Sequence, residues 1–186
     1  MHTTTDEPRN TDPRARSANL LGALALETLG AQEQAIEEVL GQGGGAAGAL
    51  VTIHKYPDRT VEQLRQPLGL SQPGAARLVE RLVRSAWVER RGPGGRRGLQ
   101  IRLTAAGEEM FDRLLVARRT ALEALLAPLS DAERQTLDGL FERLLGARTE
   151  THADTVRLCR VCERRACLRC PVARAAKEKR DRAGRP

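Results

Sequence analysis

A chain of 186 residues with 40% apolar content has room for one domain with a substantial core, together with tails. Its longest apolar stretches fall well short of the roughly 20 residues that a membrane helix needs. The first 17 residues also lack the apolar centre of a signal peptide. We therefore expect a cytoplasmic protein that does not enter the membrane.

The net charge of +7 is distributed unevenly along the chain. Residues 156–186 carry eleven Lys and Arg side chains against three acids, a net charge of +8. Residues 71–104 carry eight arginines against two acids, a net charge of +6. Acidic residues elsewhere offset this second cluster. A positive surface on an acidic frame favours contact with nucleic-acid phosphates and release of their counterions.

The N-terminal third predicts an arm followed by two helices. Residues 1–18 are polar and aperiodic, so we expect them to form a disordered arm. From Asn19 to Leu40 apolar residues recur at helical spacing, which predicts a long helix. The glycine-rich segment 41–48 ends that helix because glycine makes the helical state costly. A short helix is then expected over residues 49–55.

The next segment predicts two short helices joined by a tight turn. Thr60 opens the first helix, since Gln63 stands three residues later and completes a capping box. This helix should end near residues 67–69. Ser71 caps the second helix, and Pro73 fits its first turn, where a missing amide hydrogen does no harm.

The second helix has two predicted faces. Its buried face is expected to contain Leu78, Leu82 and Val83. An arginine stripe at spacing i, i+4, i+7 should form the face that meets DNA. Together with the two residues at the start of the helix, it gives the predicted contacts Ser71, Gln72, Arg77, Arg81 and Arg84. Two helices around a short turn are typical of the helix-turn-helix motif.

A two-stranded hairpin is predicted after the second helix. Residues 87–91 and 99–103 alternate as strands do, and a glycine-rich tip between them carries Arg96 and Arg97. We expect the tip to insert an arginine into the narrow minor groove, where the negative potential is deepest.

Two further helices complete the predicted domain. Thr104 caps a helix running to about Ala127, and Ser130 opens a final helix with a capping box. The final helix is expected to bury Leu137, Leu140, Phe141, Leu144 and Leu145. Because the first and the last two helices are more apolar than one small domain can cover, we expect a homodimer reading a pseudo-palindromic operator.

The segments LGLSQPGAARLVERLVRSAWVERR (68–91) and GGRRGLQIRLTAAGEEM (94–110) resemble the MarR family, the multiple-antibiotic-resistance regulators. The resemblance covers roughly residues 19–148. It implies a mainly α fold with a small β-hairpin wing, a DNA-binding lobe at about 49–104, and dimerisation helices at about 19–40 and 104–148. It further implies a wing arginine at Arg97. The family usually has an aspartate where this chain has Gly95, so Arg97 is less preorganised or Arg96 shares its contact.

The resemblance implies a transcriptional regulator, a repressor in most relatives, rather than an enzyme. Effectors of the family, often phenolic or lipophilic anions, bind between the dimerisation helices and the DNA-binding lobe, and His54 and Tyr56 fall near that cleft. Two alternatives remain, namely an architectural DNA-binding protein without sequence preference and a thiol or iron-sulfur redox protein. No catalytic set of residues can be identified in the sequence.

The tail after residue 148 contains all four cysteines, spaced C-x2-C-x4-C-x2-C: Cys159, Cys162, Cys167 and Cys170. In a cytoplasmic protein this spacing favours a metal, because structural disulfides would be kept reduced. The CxxC pairs suit zinc, whereas the closing Cys-Pro and the crowding of ligands are typical of ferredoxin-like loops; the iron-sulfur interpretation is slightly favoured. His152 is a weaker candidate ligand.

Two other interpretations of the cysteines stay open, a dithiol redox switch and an apolar face on a continuous helix. On an unbroken helix Cys159 and Cys170 would be about 16 Å apart. A shared metal therefore requires a break around residues 163–166. A metal or redox centre here would tune DNA affinity. The last ten residues, 177–186, are expected to be disordered.

Overall fold

The computed structural model describes residues 12–43, 45–92, 99–163, 165–167 and 169–183, without the side chains of Gln66 and His152. Within these residues the chain forms eight helices and three strands. In chain order they are α1 (Pro13–Leu40), α2 (Ala46–Lys55), β1 (Arg59–Thr60), α3 (Val61–Leu68), α4 (Gln72–Arg84), β2 (Val88–Arg91), β3 (Gln100–Leu103), α5 (Ala105–Leu126), α6 (Asp131–Ala147), α7 (His152–Leu158) and α8 (Pro171–Ala183). The predicted mainly helical winged helix-turn-helix fold is confirmed.

Helix α1 begins earlier than the apolar pattern indicates. Asp12 is its N-cap and accepts a hydrogen bond from the Arg14 amide at 3.0 Å, and Pro13 occupies the first turn. The expectation of disorder through residue 18 is therefore wrong for residues 13–18, while residues 1–11 lie outside the described part. The helix ends at Gly41, whose φ of 59° is readily adopted only by glycine.

The core of the winged-helix lobe is built around α2. Leu50 and Ile53 of this helix are at most 1% exposed, and they pack with fully buried side chains from α3, α4, β3 and α5: Leu64, Leu82, Ile101 and Leu114. Helix α4 contributes Ala75, Leu78, Val79 and Leu82, one face at helical spacing. The prediction that Val83 is buried is wrong, because Val79 holds the inner position instead.

The wing contains one more strand than the sequence predicts. Strands pair antiparallel in the order β1-β3-β2, so β3 is central. Val88 lies opposite Leu103, and Arg59 lies opposite Ile101. Strand β1 has two residues, too few to show the alternation by which strands are recognised in a sequence.

Helices α1 and α5 pack along each other, and the predicted caps of α5 and α6 are confirmed. Thr104 accepts from the Gly107 amide at 3.0 Å, and Ser130 forms a capping box with Glu133. Helix α6 has no buried residue in the single chain. The prediction that its apolar face is buried is thus wrong within one protomer: Leu140, Phe141, Leu144 and Leu145 are exposed.

The tail forms two helices that pack against the body of the protein. Helix α7 contacts α3, and α8 contacts α6 and α7. Because α7 ends at Leu158 and α8 begins at Pro171, the continuous helix considered for the cysteines is excluded. Residues 177–183 are helical, so the expectation of disorder there is also wrong. In the part of the chain that the structure describes, no helix is long and apolar enough to cross a membrane.

Candidate nucleic-acid interface

Helices α3 and α4 form the helix-turn-helix, and local hydrogen bonds fix both of their starts. The Thr60 amide donates to Gln63 Oε1 at 3.0 Å, and the Gln63 amide returns a bond to Thr60 Oγ1 at 3.3 Å. Ser71 Oγ accepts from the Gly74 amide at 3.2 Å, so this predicted DNA contact also serves as the N-cap of α4. Gln72, the other predicted contact at this end, is exposed.

The three arginines of α4 line one open groove of ≈ 530 Å³, together with Glu80. Arg77 and Arg84 are exposed. Arg81 is half-buried, and its Nη2 lies 3.5 Å from the carbonyl oxygen of Gly43. The predicted stripe therefore exists, but Arg81 also ties α4 to the segment before α2. Arg77 and Arg84 are the two predicted contacts of the stripe whose side chains stay exposed.

An ion pair that the sequence does not reveal connects the wing to the segment before α3. Arg102 on β3 donates through Nε to Asp58 Oδ1 at 3.0 Å and through Nη2 to Oδ2. These hydrogen bonds hold the pKa of Asp58 below its ordinary value. Arg102 thus holds the wing in position through its ion pair with Asp58, and does not simply add positive charge to the surface. The predicted wing residues Arg96 and Arg97, with Gly95, lie outside the described residues.

Replacing Asp58 with asparagine should loosen this connection and lower DNA affinity by up to about fivefold, the range expected for an exposed ion pair. The folded-state pKa of Asp58 is depressed. Its contribution is therefore present at neutral pH and is lost only as the pH falls through that lowered pKa. Fluorescence anisotropy with a labelled duplex at neutral pH measures the change. Glu142→Gln, which breaks the exposed 3.2 Å pair with Arg174 on α8, is the matched control.

The end of α4 is joined to α5 by a close backbone contact. Trp87 follows α4, and its carbonyl oxygen accepts from the Thr104 amide at 3.0 Å. Thr104 Oγ1 donates to the Ala86 carbonyl at 2.6 Å. A Cβ on Gly107 would lie 1.9 Å from the Trp87 oxygen, so only glycine fits at this position. The contact fixes where α4 ends relative to the start of α5.

His54 and Tyr56 already have partners within the chain. His54 Nδ1 lies 2.7 Å from Glu108 Oε2, and the ring stacks on Phe111 with centroids 3.9 Å apart. The guanidinium carbon of Arg59 lies 4.8 Å from the centroid of the Tyr56 ring. These contacts join α2 to α5 and β1, which gives both side chains a structural role.

The four-cysteine loop (Cys159–Cys170) lies between α7 and α8. The Cys162 amide donates to the Cys159 carbonyl at 3.2 Å, which closes a tight turn. Cys170 stands immediately before α8, and its Sγ accepts from the Ala173 amide at 3.4 Å. A hydrogen bond with Cys162 is the main cause that raises the pKa of Cys159, followed by burial and by interactions with Cys170. Burial, with Cys162 and Cys170 nearby, raises the pKa of Cys167.

The structure places the four predicted ligands in one loop but does not arrange them as a metal-binding shell. Cys167 is exposed, whereas the other three cysteines are half-buried. Among the described residues, no group of three or more His, Cys, Asp or Glu side chains could hold a metal ion as it stands. Sequence reasoning missed α7, although Thr151 and Asp154 carry a capping box that was readable in the sequence.

The helix-turn-helix, its arginine-lined groove and the adjoining three-stranded wing define a winged-helix fold. Residues 41–98 match the sequence model of the MarR family. That stretch contains the helix-turn-helix and the first strand of the hairpin.

Three known proteins illustrate the similarity. The transcriptional repressor MprA of Escherichia coli is 29% identical over 111 residues, which span 58% of this chain and 63% of the repressor. The structure of a Staphylococcus aureus MepR mutant bound to an oligodeoxyribonucleotide has a TM-score of 0.54 and 17% identity, covering 70% of this chain and 96% of MepR. That of Staphylococcus aureus MarR with salicylate and kanamycin has a TM-score of 0.58 and 16% identity, covering 70% and 89% of the two chains.

Proposed function

We propose that this protein is a MarR-type transcriptional regulator that binds a specific DNA sequence as a homodimer and acts as a repressor. The observation that carries the proposal is the exposed pair Arg77 and Arg84 on the second helix of a helix-turn-helix. An α-helix fits the major groove of B-DNA, and arginine is the side chain best suited to guanine edges and phosphates. Repression by MprA and the oligonucleotide bound to MepR support the same role.

A second copy of the chain is the proposed partner of the exposed apolar faces. Large apolar side chains are exposed on α1 and α6, including Leu26 at 76% and Leu144 at 55%. Large exposed apolar patches often mark protein–protein interfaces. In a symmetric dimer the same faces would meet, and two copies of α4 would address the two halves of an operator.

Leu144→Asp should weaken the dimer at least about a hundredfold, because each protomer would bring an unpaired carboxylate into an apolar interface. Sedimentation velocity over a concentration series measures the monomer fraction. Gln135→Asp is the matched control, since nine residues along α6 place it about 180° away. If the Leu144→Asp protein stayed dimeric at the concentrations at which the Gln135→Asp protein is dimeric, the apolar face of α6 would not be the dimer interface.

Regulation by a ligand is the second part of the proposal. Salicylate bound to a structurally similar MarR supports a small-molecule effector, although this chain's His54 and Tyr56 are occupied by internal contacts. The four-cysteine loop offers a different input, a metal or redox centre, because its flanking helices contact α3 of the DNA-binding motif and α6. We propose that the state of this loop tunes DNA affinity.

Selection of binding sites from random duplexes, followed by salt titration on the selected and a random duplex, tests the function. A regulator should prefer its site by about 10³-fold or more and protect two half-sites about one helical turn apart. Equal affinity for both duplexes would instead favour an architectural DNA-binding protein. The high density of arginines in residues 71–104 is expected for both candidate functions, the sequence-specific regulator and the architectural DNA-binding protein.

A further inference from the structure

The winged-helix lobe is attached to the first turns of α5. Gly107 lies against the Trp87 carbonyl group, which follows α4. Farther along α5, the Phe111 ring stacks on His54 of α2, and Leu114 is buried in the core that α5 shares with the lobe. From Gly107 to Leu114 is about two turns of helix. Attachments this close together resist rotation of the lobe less well than attachments spread along the helix, because a rotation displaces them little.

Residues 152–163 join the helix-turn-helix to a later turn of α5. They comprise α7 and the first five residues of the four-cysteine loop, and we call them the tail strap. Helix α7 contacts α3, and Val161 packs against the core cluster. Glu163 Oε1 lies 2.9 Å from Arg119 Nη1 on α5. The Glu163 side chain is 19% exposed, against 46% for Glu142 in the pair that joins α6 to α8, so water screens the pair of the strap less.

The segments on either side of the tail strap are fixed to α6. Thr149, just after α6, is fully buried, and its Oγ1 donates to the Leu145 carbonyl oxygen at 2.8 Å. Thr151 and Asp154 form the capping box that fixes the start of α7. Val172 in the first turn of α8 is 2% exposed, and α8 packs on α6. The strap is therefore held at both flanks while it contacts α3 and α5.

We propose that the tail strap fixes the orientation of the helix-turn-helix relative to α5, with Glu163 as its positioning residue. Arg119 is twelve residues beyond Gly107, or about 18 Å along α5. A given rotation of the lobe displaces an attachment at that distance more than one beside Gly107, so this attachment opposes rotation more strongly. The effect of the strap on DNA rests on the proposed function, whereas its docking is measured without DNA.

A fixed orientation matters because two copies of α4 have to reach two half-sites at a set separation. When the strap is docked, each lobe is already in one pose, and less ordering is lost on binding. Release of the strap should lower the affinity for the operator and make the protein more tolerant of a changed half-site spacing. Because coupling between two sites is reciprocal, DNA should in turn favour the docked strap.

Reversal of one charge of the pair provides the test. Glu163→Arg should speed hydrogen exchange in α7 and weaken operator binding at least about fivefold, the lower end of the usual range for coupled sites. The affinity lost on inserting a base pair between the half-sites should also shrink. Glu178→Arg, at an exposed position of α8, makes the same change of charge on the tail and should leave all three measurements as in the wild type. Since both variants gain positive charge, electrostatic attraction to DNA cannot account for weaker binding.

The charge-swapped protein, Glu163→Arg with Arg119→Glu, should recover most of the lost affinity and the preference for one spacing. Recovery is incomplete because Glu123, 3.8 Å from Arg119, repels the new carboxylate. If the swapped protein recovered nothing, the pair between Glu163 and Arg119 would not be what holds the strap.

Two further results would overturn the proposal. Unchanged exchange in α7 of the Glu163→Arg protein would mean that Glu163 does not hold the strap in place. Faster exchange with the affinity and spacing preference of the Glu178→Arg protein would mean that the docked strap does not orient the lobe. The anisotropy decay of Trp87, the single tryptophan, measures mobility of the lobe without DNA. Docking and orientation are thus decided even if the wild type lacks specific DNA binding, a result that would reject the proposed function alone.

Discussion

Replacing Arg77 and Arg84 together with alanine is expected to weaken operator binding at least about 30-fold, since each guanidinium that contacts a base or phosphate contributes about 1–3 kcal/mol. Both side chains are exposed on α4, and neither packs in the core. The fold should therefore survive the change. Fluorescence anisotropy on the selected duplex measures the affinity. The slope of log affinity against log salt should also fall by about one for each lost phosphate contact.

The control for this experiment replaces two arginines on other surfaces, so that the same net charge is lost. Arg113 on α5 and Arg143 on α6 are exposed and lie outside the helix-turn-helix and the wing. Their double alanine variant loses the same net charge and should bind DNA nearly as well as the wild type. If both double variants lost affinity equally, binding would depend on net charge alone and α4 would not be the recognition helix.

The second large effect is expected at Gly107, where alanine should destabilise the fold by about 3 kcal/mol or more. The added Cβ would stand 1.9 Å from the Trp87 carbonyl oxygen and 2.9 Å from its carbon. Both are backbone atoms between α4 and the wing, so they cannot move aside as a flexible side chain would. Urea denaturation followed by Trp87 fluorescence and by circular dichroism gives the free energy of unfolding.

Gly139→Ala in α6 is the matched control, because nothing lies within 4 Å of a Cβ at that position. There the substitution should stabilise the protein by about 0.5–1 kcal/mol, the ordinary advantage of alanine in a helix. If the Gly107→Ala protein were as stable as the wild type, Gly107 of α5 would not lie against the Trp87 carbonyl group that follows α4. That outcome would also mean that this contact does not fix the position of α4 relative to α5.

Local signals in the sequence predicted the helix-turn-helix with good accuracy. Thr60 is hydrogen-bonded to Gln63, and Ser71 to Gly74, each over three residues, and both helices start where the sequence placed them. The missed start at Asp12 obeys the same rule, because a polar first turn hid it from a search for apolar periodicity. Helix α7 was also missed, although Thr151 and Asp154 form a capping box over three residues.

The remaining errors concern partners far apart in the chain. Val83 was expected to be buried because it is apolar and falls beside Leu82, yet Val79 is buried and Val83 is exposed, an outcome that depends on how α4 packs against α3 and β2. The pairing of Asp58 with Arg102 joins residues 44 positions apart. Nothing in the local sequence at either position indicates the other.

The sequence by itself determined the starts of α3, α4, α5 and α6, the arginine stripe of α4 and the cysteine spacing. Each depends on backbone bonds or side-chain periodicity within a few neighbouring residues. Only the tertiary structure decided that Arg81 contacts the segment before α2, why Gly107 must be glycine, and that the helices flanking the cysteine loop contact α3 and α6. These properties depend on distances between distant segments, which exist only after the hydrophobic core has brought the helices together.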